Sequence, residues 1–393
     1  MRFQYHNPTR VVFGAGVSDG IGAEVAAIGR HALVVAGGAS ARKTGLLDRV
    51  LDSIRKAGAT ADVFAGVEPN PRLSTVKRGA GVARQQGSDV VVAVGGGSVM
   101  DAAKVTPAAV FYEGDPWAMF WHGGAEPRAP ERALPIVTVP TLAATGSETN
   151  SGAVVTNEAT TEKSYVSADC LYPRVAVIDP ALTATVPPDQ TAFGIADIVS
   201  HVTESYFNGI DGTPLQDRMA EGVVQIVLDF GPRAVANGAD IEARTHLQWA
   251  SVVALNGSIQ AGCAAPFPVH GMEHVLSAHH DVPHGAGLAI LTPAWMRWAA
   301  HRRPAKLAGF ARRVLGVPAG DADLAAALAG ADRLEAFYRS IGAPVRLSQV
   351  GIPADGIPRY AADAVRVAGD GQRLWGRPAL TAADVAEVLR GAA

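Results

Sequence analysis

Five apolar residues, Val90 to Val94, run straight into three glycines and a serine, and a helical pattern follows: DVVVAVGGGSVMDAAK, from Asp89 to Lys104. An apolar run with no polar alternate reads as a strand buried on both faces, the mark of a parallel sheet covered by helices. Glycine lets a backbone approach a pyrophosphate closely. The N-terminus of the next helix then offers free N–H groups and a partial positive charge. The same stretch also reads as a plain strand-to-helix turn with Ser98 as the N-cap.

The pattern recurs around it. ALVVAGG (Ala32–Gly38), ADVFAG (Ala61–Gly66) and ALPIVTVPT (Ala133–Thr141) read as strands. KTGLLDRVLDSIRKAG (Lys43–Gly58) and LSTVKRGAGVARQQG (Leu73–Gly87) carry apolar residues at helical spacing and end in glycine. Strand alternating with helix predicts an α/β, Rossmann-like sheet. Beyond about Pro187 the strand-like runs stop and long Ala- and Leu-rich amphipathic stretches take over. A chain of 393 residues exceeds one ordinary core. The expected domains are 1–184, a dinucleotide-binding α/β domain, and 185–393, an all-helical metal-binding and catalytic domain.

Composition removes several function classes. Acids and bases are mixed, the net charge is −3, and no basic run suggests nucleic acid. The chain holds no run of about 18 uninterrupted apolar residues, the length that spans a bilayer. The two cysteines, Cys170 and Cys263, form no C-x-x-C, which argues against a zinc ribbon or redox pair and fits a reducing, cytoplasmic compartment. A small-molecule ligand remains.

Two further loops support a nucleotide. TVPTLAATGSETN (Thr138–Asn150) gathers hydroxyls and small residues after a strand, where open α/β sheets form their ligand crevice. The first strand, ending VVAGGASARKTG, lacks the acid that holds an adenosine ribose in NAD enzymes. Gly37, Gly38 and Ser40 are small or hydroxylic there, with Arg42 and Lys43 following, which suits a 2′-phosphate and favours NADP(H) over NAD(H).

Five of the chain's 11 histidines crowd into VHGMEHVLSAHHDVPHG (Val269–Gly285). His270 and His274 are four apart, so a helix stacks them on one face. In GIADIVSHVTESYF, Asp197 and His201 repeat that spacing on an apolar helix. A buried carboxylate and imidazole are costly unless they pair or ligate. Asp197, His201, His270 and His284 together would suit one divalent metal, Fe²⁺ or Zn²⁺. Taken alone, an Asp–His pair is more often a surface or plain helix pair, and His279 and His280 read as solvated loop residues or as supports behind the ligands.

These motifs resemble the iron-containing (group III) alcohol dehydrogenase family. The likeness spans nearly the whole chain: GGGSVMDAAK, PTLAATGSE, EKSYVSADCLYPRVAVIDP, GIADIVSHVTESY and HGMEHVLSAHHDVPHG. Within the family the chain is most similar to the NADPH-dependent aldehyde reductase and butanol dehydrogenase branch. Gly37 stands where NAD-preferring members have aspartate, and Ala39 where close relatives have glycine. The resemblance implies a dehydroquinate synthase-like fold and an active site between its two domains. It implies metal ligands at Asp197, His201, His270 and His284, and His274 near the nicotinamide as a proton relay. It implies cofactor contacts at Gly37, Gly38, Ser40, Lys43, Asn70, Gly96, Gly97, Ser98, Asp101, Thr141, Leu142, Thr145, Ser147, Lys163, Leu182 and Thr183. The reaction expected is hydride transfer between NADP(H) and short-to-medium-chain alcohols or aldehydes, by a homodimer. Phe120, Trp121 and Phe267 are candidate pocket walls or, equally, ordinary core aromatics. A polyol dehydrogenase of the same superfamily, or a nucleotide-binding module with a structural metal, are the competing readings.

Overall fold

The structure is a computed structural model and describes residues 2–38, 40–122 and 126–393. The chain divides into two compact units, one of His6–Trp121 with Glu126–Val186, the other built on Pro187–Ala393.

The first unit runs β1 (Arg10–Phe13), α1 (Ile21–Ala26), β2 (His31–Gly37), α2 (Ser40–Lys43), α3 (Leu46–Lys56), β3 (Thr60–Val67), α4 (Leu73–Gln86), β4 (Val90–Gly95), α5 (Gly97–Ala109), β5 (Ile136–Pro140), β6 (Gly152–Asn157), β7 (Glu162–Ser167) and β8 (Val175–Ile178). Six strands pair in the order β1-β8-β5-β4-β2-β3, all parallel. The apolar runs have the cause inferred above. In β2, Ala32, Val34 and Ala36 pack with Ile21, Leu47, Val50 and Ile54 on one face. Leu33 and Val35 pack with Ala83, Met100 and Ala103 on the other. Alternate residues are buried in opposite directions, so neither set can be polar. The β6–β7 hairpin is antiparallel and separate from the main sheet. Its Ala153, Val155 and Val166 pack against Leu73, Val76, Ala80 and Val105.

The second unit contains α6 (Pro188–Asn208), α7 (Pro214–Ala236), α8 (Ile241–Leu255), α9 (Pro268–His280), α10 (His284–Ala300), α11 (Pro304–Arg313), α12 (Asp323–Ser340), α13 (Ile357–Val367), β9 (Arg373–Leu374), β10 (Leu380–Thr381) and α14 (Ala382–Gly391). It is helical except for the β9–β10 ribbon, whose two-residue strands are too short to show a period in the sequence. Helices α6 and α10 are buried along most of their length. They approach closely because Gly285 has no side chain: a Cβ there would lie 2.1 Å from the Phe193 carbonyl oxygen. Among the described residues no helix is long and apolar enough to cross a membrane.

Candidate metal centre and nucleotide loops

Helix α6 stacks Asp197 and His201 one turn apart, α9 brings in His270, and α10 opens with His284. Three imidazoles converge on one oxygen. The Nε2 atoms of His201, His270 and His284 lie 3.4, 3.8 and 3.8 Å from Asp197 Oδ1. Good hydrogen bonds are shorter, about 2.7–3.2 Å. Asp197 Oδ1 and His270 Nε2 are buried and make no hydrogen bond. Leaving such atoms unpaired costs roughly 1–3 kcal/mol each. The His201 and His270 rings stack with centroids 4.7 Å apart.

This donor set fits one divalent ion. Nitrogen and carboxylate bonds to such an ion run to about 2.0–2.2 Å, which sets tetrahedral neighbours roughly 3.4 Å apart. The electrostatics of Asp197 and His201 agree. Burial alone raises the Asp197 carboxyl, but the three imidazoles outweigh it and hold it at about 2. Burial drops His201 to about 3, so its ring is neutral and a lone pair is available. Burial also disfavours the His270 cation, but Glu204 and Asp197 outweigh it and carry that ring up to about 9.

Two carboxylates escaped the sequence reading. Glu204 lies 2.5 Å from His270 Nδ1, and Glu273 contacts His284 Nδ1. The available signal was His-x-x-Glu, present twice, at His201–Glu204 and His270–Glu273. His274 lines the same cluster, its ring 6.1 Å from His270 and 5.7 Å from His284. Phe267 packs edge-on at 5.4 Å from the His270 ring. Two expectations are corrected. His279 and His280 are helical, and they pair with Asp363 and Tyr360 of α13 at 2.8 and 2.6 Å. Phe120 is not a pocket wall: it is fully buried in core and stacks on Trp117.

In the first unit the predicted cofactor residues follow the carboxyl ends of parallel strands, except Lys163, which lies on β7 of the antiparallel hairpin. Gly37 closes β2, with Gly38 exposed after it and Ser40 and Lys43 exposed on α2. Ala39 lies outside the described residues. After β4, Gly96 is the N-cap of α5, so Ser98 lies inside the helix and is not the cap. A glycine cap brings no side-chain acceptor to the first-turn N–H groups. A Cβ on Gly97 would sit 2.4 Å from Thr145 Cγ2, and one on Gly96 would sit 3.6 Å from Leu142. Glycine is what lets this turn meet the loop after β5. The Thr141 amide donates to the Gly95 carbonyl, and the Ser147 hydroxyl donates to Asp101 at 2.7 Å.

A lysine not singled out above holds the loop from beneath. Lys104 is fully buried, and its ammonium donates to Ser147 Oγ, Asn150 Oδ1 and the Gly152 carbonyl at 2.8, 2.9 and 2.7 Å. Desolvation lowers its pKa to about 8 against the pull of Asp101 and Glu148. Beyond β3, Asn70 takes a left-handed backbone, φ 50°, and accepts from Lys163 Nζ at 2.9 Å. After β8, Leu182 packs on the core, and the buried Thr183 hydroxyl donates to the Pro180 carbonyl.

The chain thus joins a parallel sheet, with glycine- and hydroxyl-rich loops after its strands, to a helical unit with a buried histidine–carboxylate cluster. The chain belongs to the iron-containing alcohol dehydrogenase family. The iron-containing alcohol dehydrogenase model matches residues 8–180, and that of the C-terminal part of the Fe-containing family matches 191–392. A probable NADH-dependent butanol dehydrogenase 1 of Bacillus subtilis is 42% identical, covering 89% of this chain and 90% of that one. The NADPH-dependent aldehyde reductase YqhD of Escherichia coli is 36% identical, covering 91% of each. The crystal structure of NADH-dependent butanol dehydrogenase A from Thermotoga maritima superposes with a TM-score of 0.94 at 38% identity, over 100% of this chain and 98% of that one.

Proposed function

We propose that the protein is a metal-dependent alcohol dehydrogenase and aldehyde reductase. It moves a hydride between NADP(H), in preference to NAD(H), and short-to-medium-chain alcohols or aldehydes. The observation that carries this reading, within this family, is the convergence of three Nε2 atoms on Asp197 Oδ1. Asp197, His201, His270 and His284 would hold Fe²⁺ or Zn²⁺. Such an ion supplies Lewis acidity toward a carbonyl or alcohol oxygen. The hydride itself is the nicotinamide's contribution. His274, whose ring lies beside those of His270 and His284, would take up or release the hydroxyl proton. Phe267 shields His201 and His270 with an apolar ring.

The glycine turn, Ser98, Thr141, Leu142, Thr145 and Ser147 would bind the cofactor phosphates and nicotinamide ribose. Relatives carry both NADH and NADPH names. The preference for NADP(H) therefore stands on the acid-free end of β2.

The test is NADPH oxidation with butanal, comparing metal-loaded with chelator-stripped protein. Activity lost on stripping and restored by Fe²⁺ or Zn²⁺ supports the reading. Activity that survives stripping overturns the metal's role. Faster turnover with NADH at equal concentration overturns the cofactor preference.

A further inference from the structure

We infer that Glu204 and Glu273 are positioning residues that orient two imidazoles of the metal centre from behind. The inference rests on the ligand assignment proposed above. The arrangement is crosswise. Glu204 follows His201 on α6 but reaches His270 on α9. Glu273 follows His270 on α9 but reaches His284 on α10. Both carboxylates are essentially inaccessible, at 1% and 0% exposure. In the neutral ring, the form that can ligate, a carboxylate on Nδ1 holds the one proton there and leaves Nε2 with its lone pair, facing Asp197.

Each carboxylate is itself held. Glu204 accepts the amides of Val269 and His270 at 2.7 and 3.0 Å, so it also caps the first turn of α9. Glu273 accepts the Ser277 hydroxyl. Gly287 makes room for it, since a Cβ there would lie 2.7 Å from Glu273 Cγ. His201 differs: its Nδ1 is buried with no hydrogen-bond partner. Two of the three rings are therefore fixed by carboxylates, and the third by stacking on His270.

The experiment is Co²⁺ titration of metal-stripped full-length protein, read by visible absorption and by chelator competition. The proteins are wild type, D197A, E273A, E273Q and E204Q. Glu204→Gln also alters a helix cap, so the Glu273 pair keeps the test readable if that variant fails to fold. The expected result is a loss of Co²⁺ affinity of about 10–100-fold in E273A, with a changed absorption band. E273Q, which keeps an acceptor oxygen for Nδ1–H, should lie nearer wild type in both. Wild-type affinity and spectrum in E273A, with binding abolished in D197A, overturn the positioning role and leave the ligand set intact. Unchanged Co²⁺ binding in D197A overturns the ligand set and the positioning role with it.

Discussion

At the residue scale, the proposed cofactor preference rests on Gly37 at the end of β2. An added Cβ there meets Val99 at 3.4 Å, an ordinary contact, so a side chain is sterically admissible. Gly37→Asp places a carboxylate where a 2′-phosphate is proposed to sit. Like charges set side by side in a binding site cost several kcal/mol. The variant should lose NADPH kcat/KM by on the order of 10–100-fold while retaining or gaining NADH activity. Steady-state kinetics with both cofactors checks this. An unchanged NADPH:NADH ratio would mean that the end of β2 does not contact the adenosine ribose.

Two close approaches matter at the scale of elements. Helices α6 and α10 each carry a proposed ligand, and Gly285 sets their spacing. Gly285→Ala drives a methyl group into the Phe193 carbonyl. Overpacking of this kind costs about 1–3 kcal/mol. Chemical denaturation should show that loss, and chelator competition should show weaker metal retention, because His284 moves with its helix. The second approach joins α5 to the loop after β5 through Lys104. Below pH 8 the folded and unfolded chains both hold that proton, and burying the charge is a constant cost. Between about 8 and 10.5 the unfolded chain keeps a proton that the folded chain has shed. Stability from this group therefore rises with pH across the window, by up to about 1.4 kcal/mol per unit. Wild type should gain on Lys104→Met as pH climbs from 8 to 10.5, in parallel urea titrations. Matching slopes would remove Lys104 from the titration.

For the whole molecule, the proposed ion would be a stability term. An ion at about 1,000 times its Kd stabilises by about 4 kcal/mol, on the order of 10 °C in Tm for a unit this size. Stripped protein should melt lower by that order and recover on refilling, measured by calorimetry. An unchanged Tm would mean that the cluster does not bind in the folded state. How much of this could be read in the sequence follows from what is local. Strands β2, β4 and β5 were visible because burial on both faces forbids polar residues. The β6–β7 hairpin was hidden, since its mixed pattern makes sense only against α4 and α5. Asp197 with His201, and the rare histidines after Val269, stood out by spacing. Glu204 did not, because its partner His270 is 66 residues away and nothing local marks the pairing. Ser98 stood two residues from the true cap for the opposite reason: its preference for helix caps is local, and Gly96 took that place.

Asp197 and His201 precede α7 and α8 in the chain, whereas His270 and His284 follow them. A ribosome therefore delivers two of the proposed ligands well before the other two. Full coordination has to wait until α10 has emerged, so loading the ion would be a late event of biosynthesis. In a metal-starved cell, finished but unfastened chains would accumulate, and their survival against proteases would track the supply of the ion.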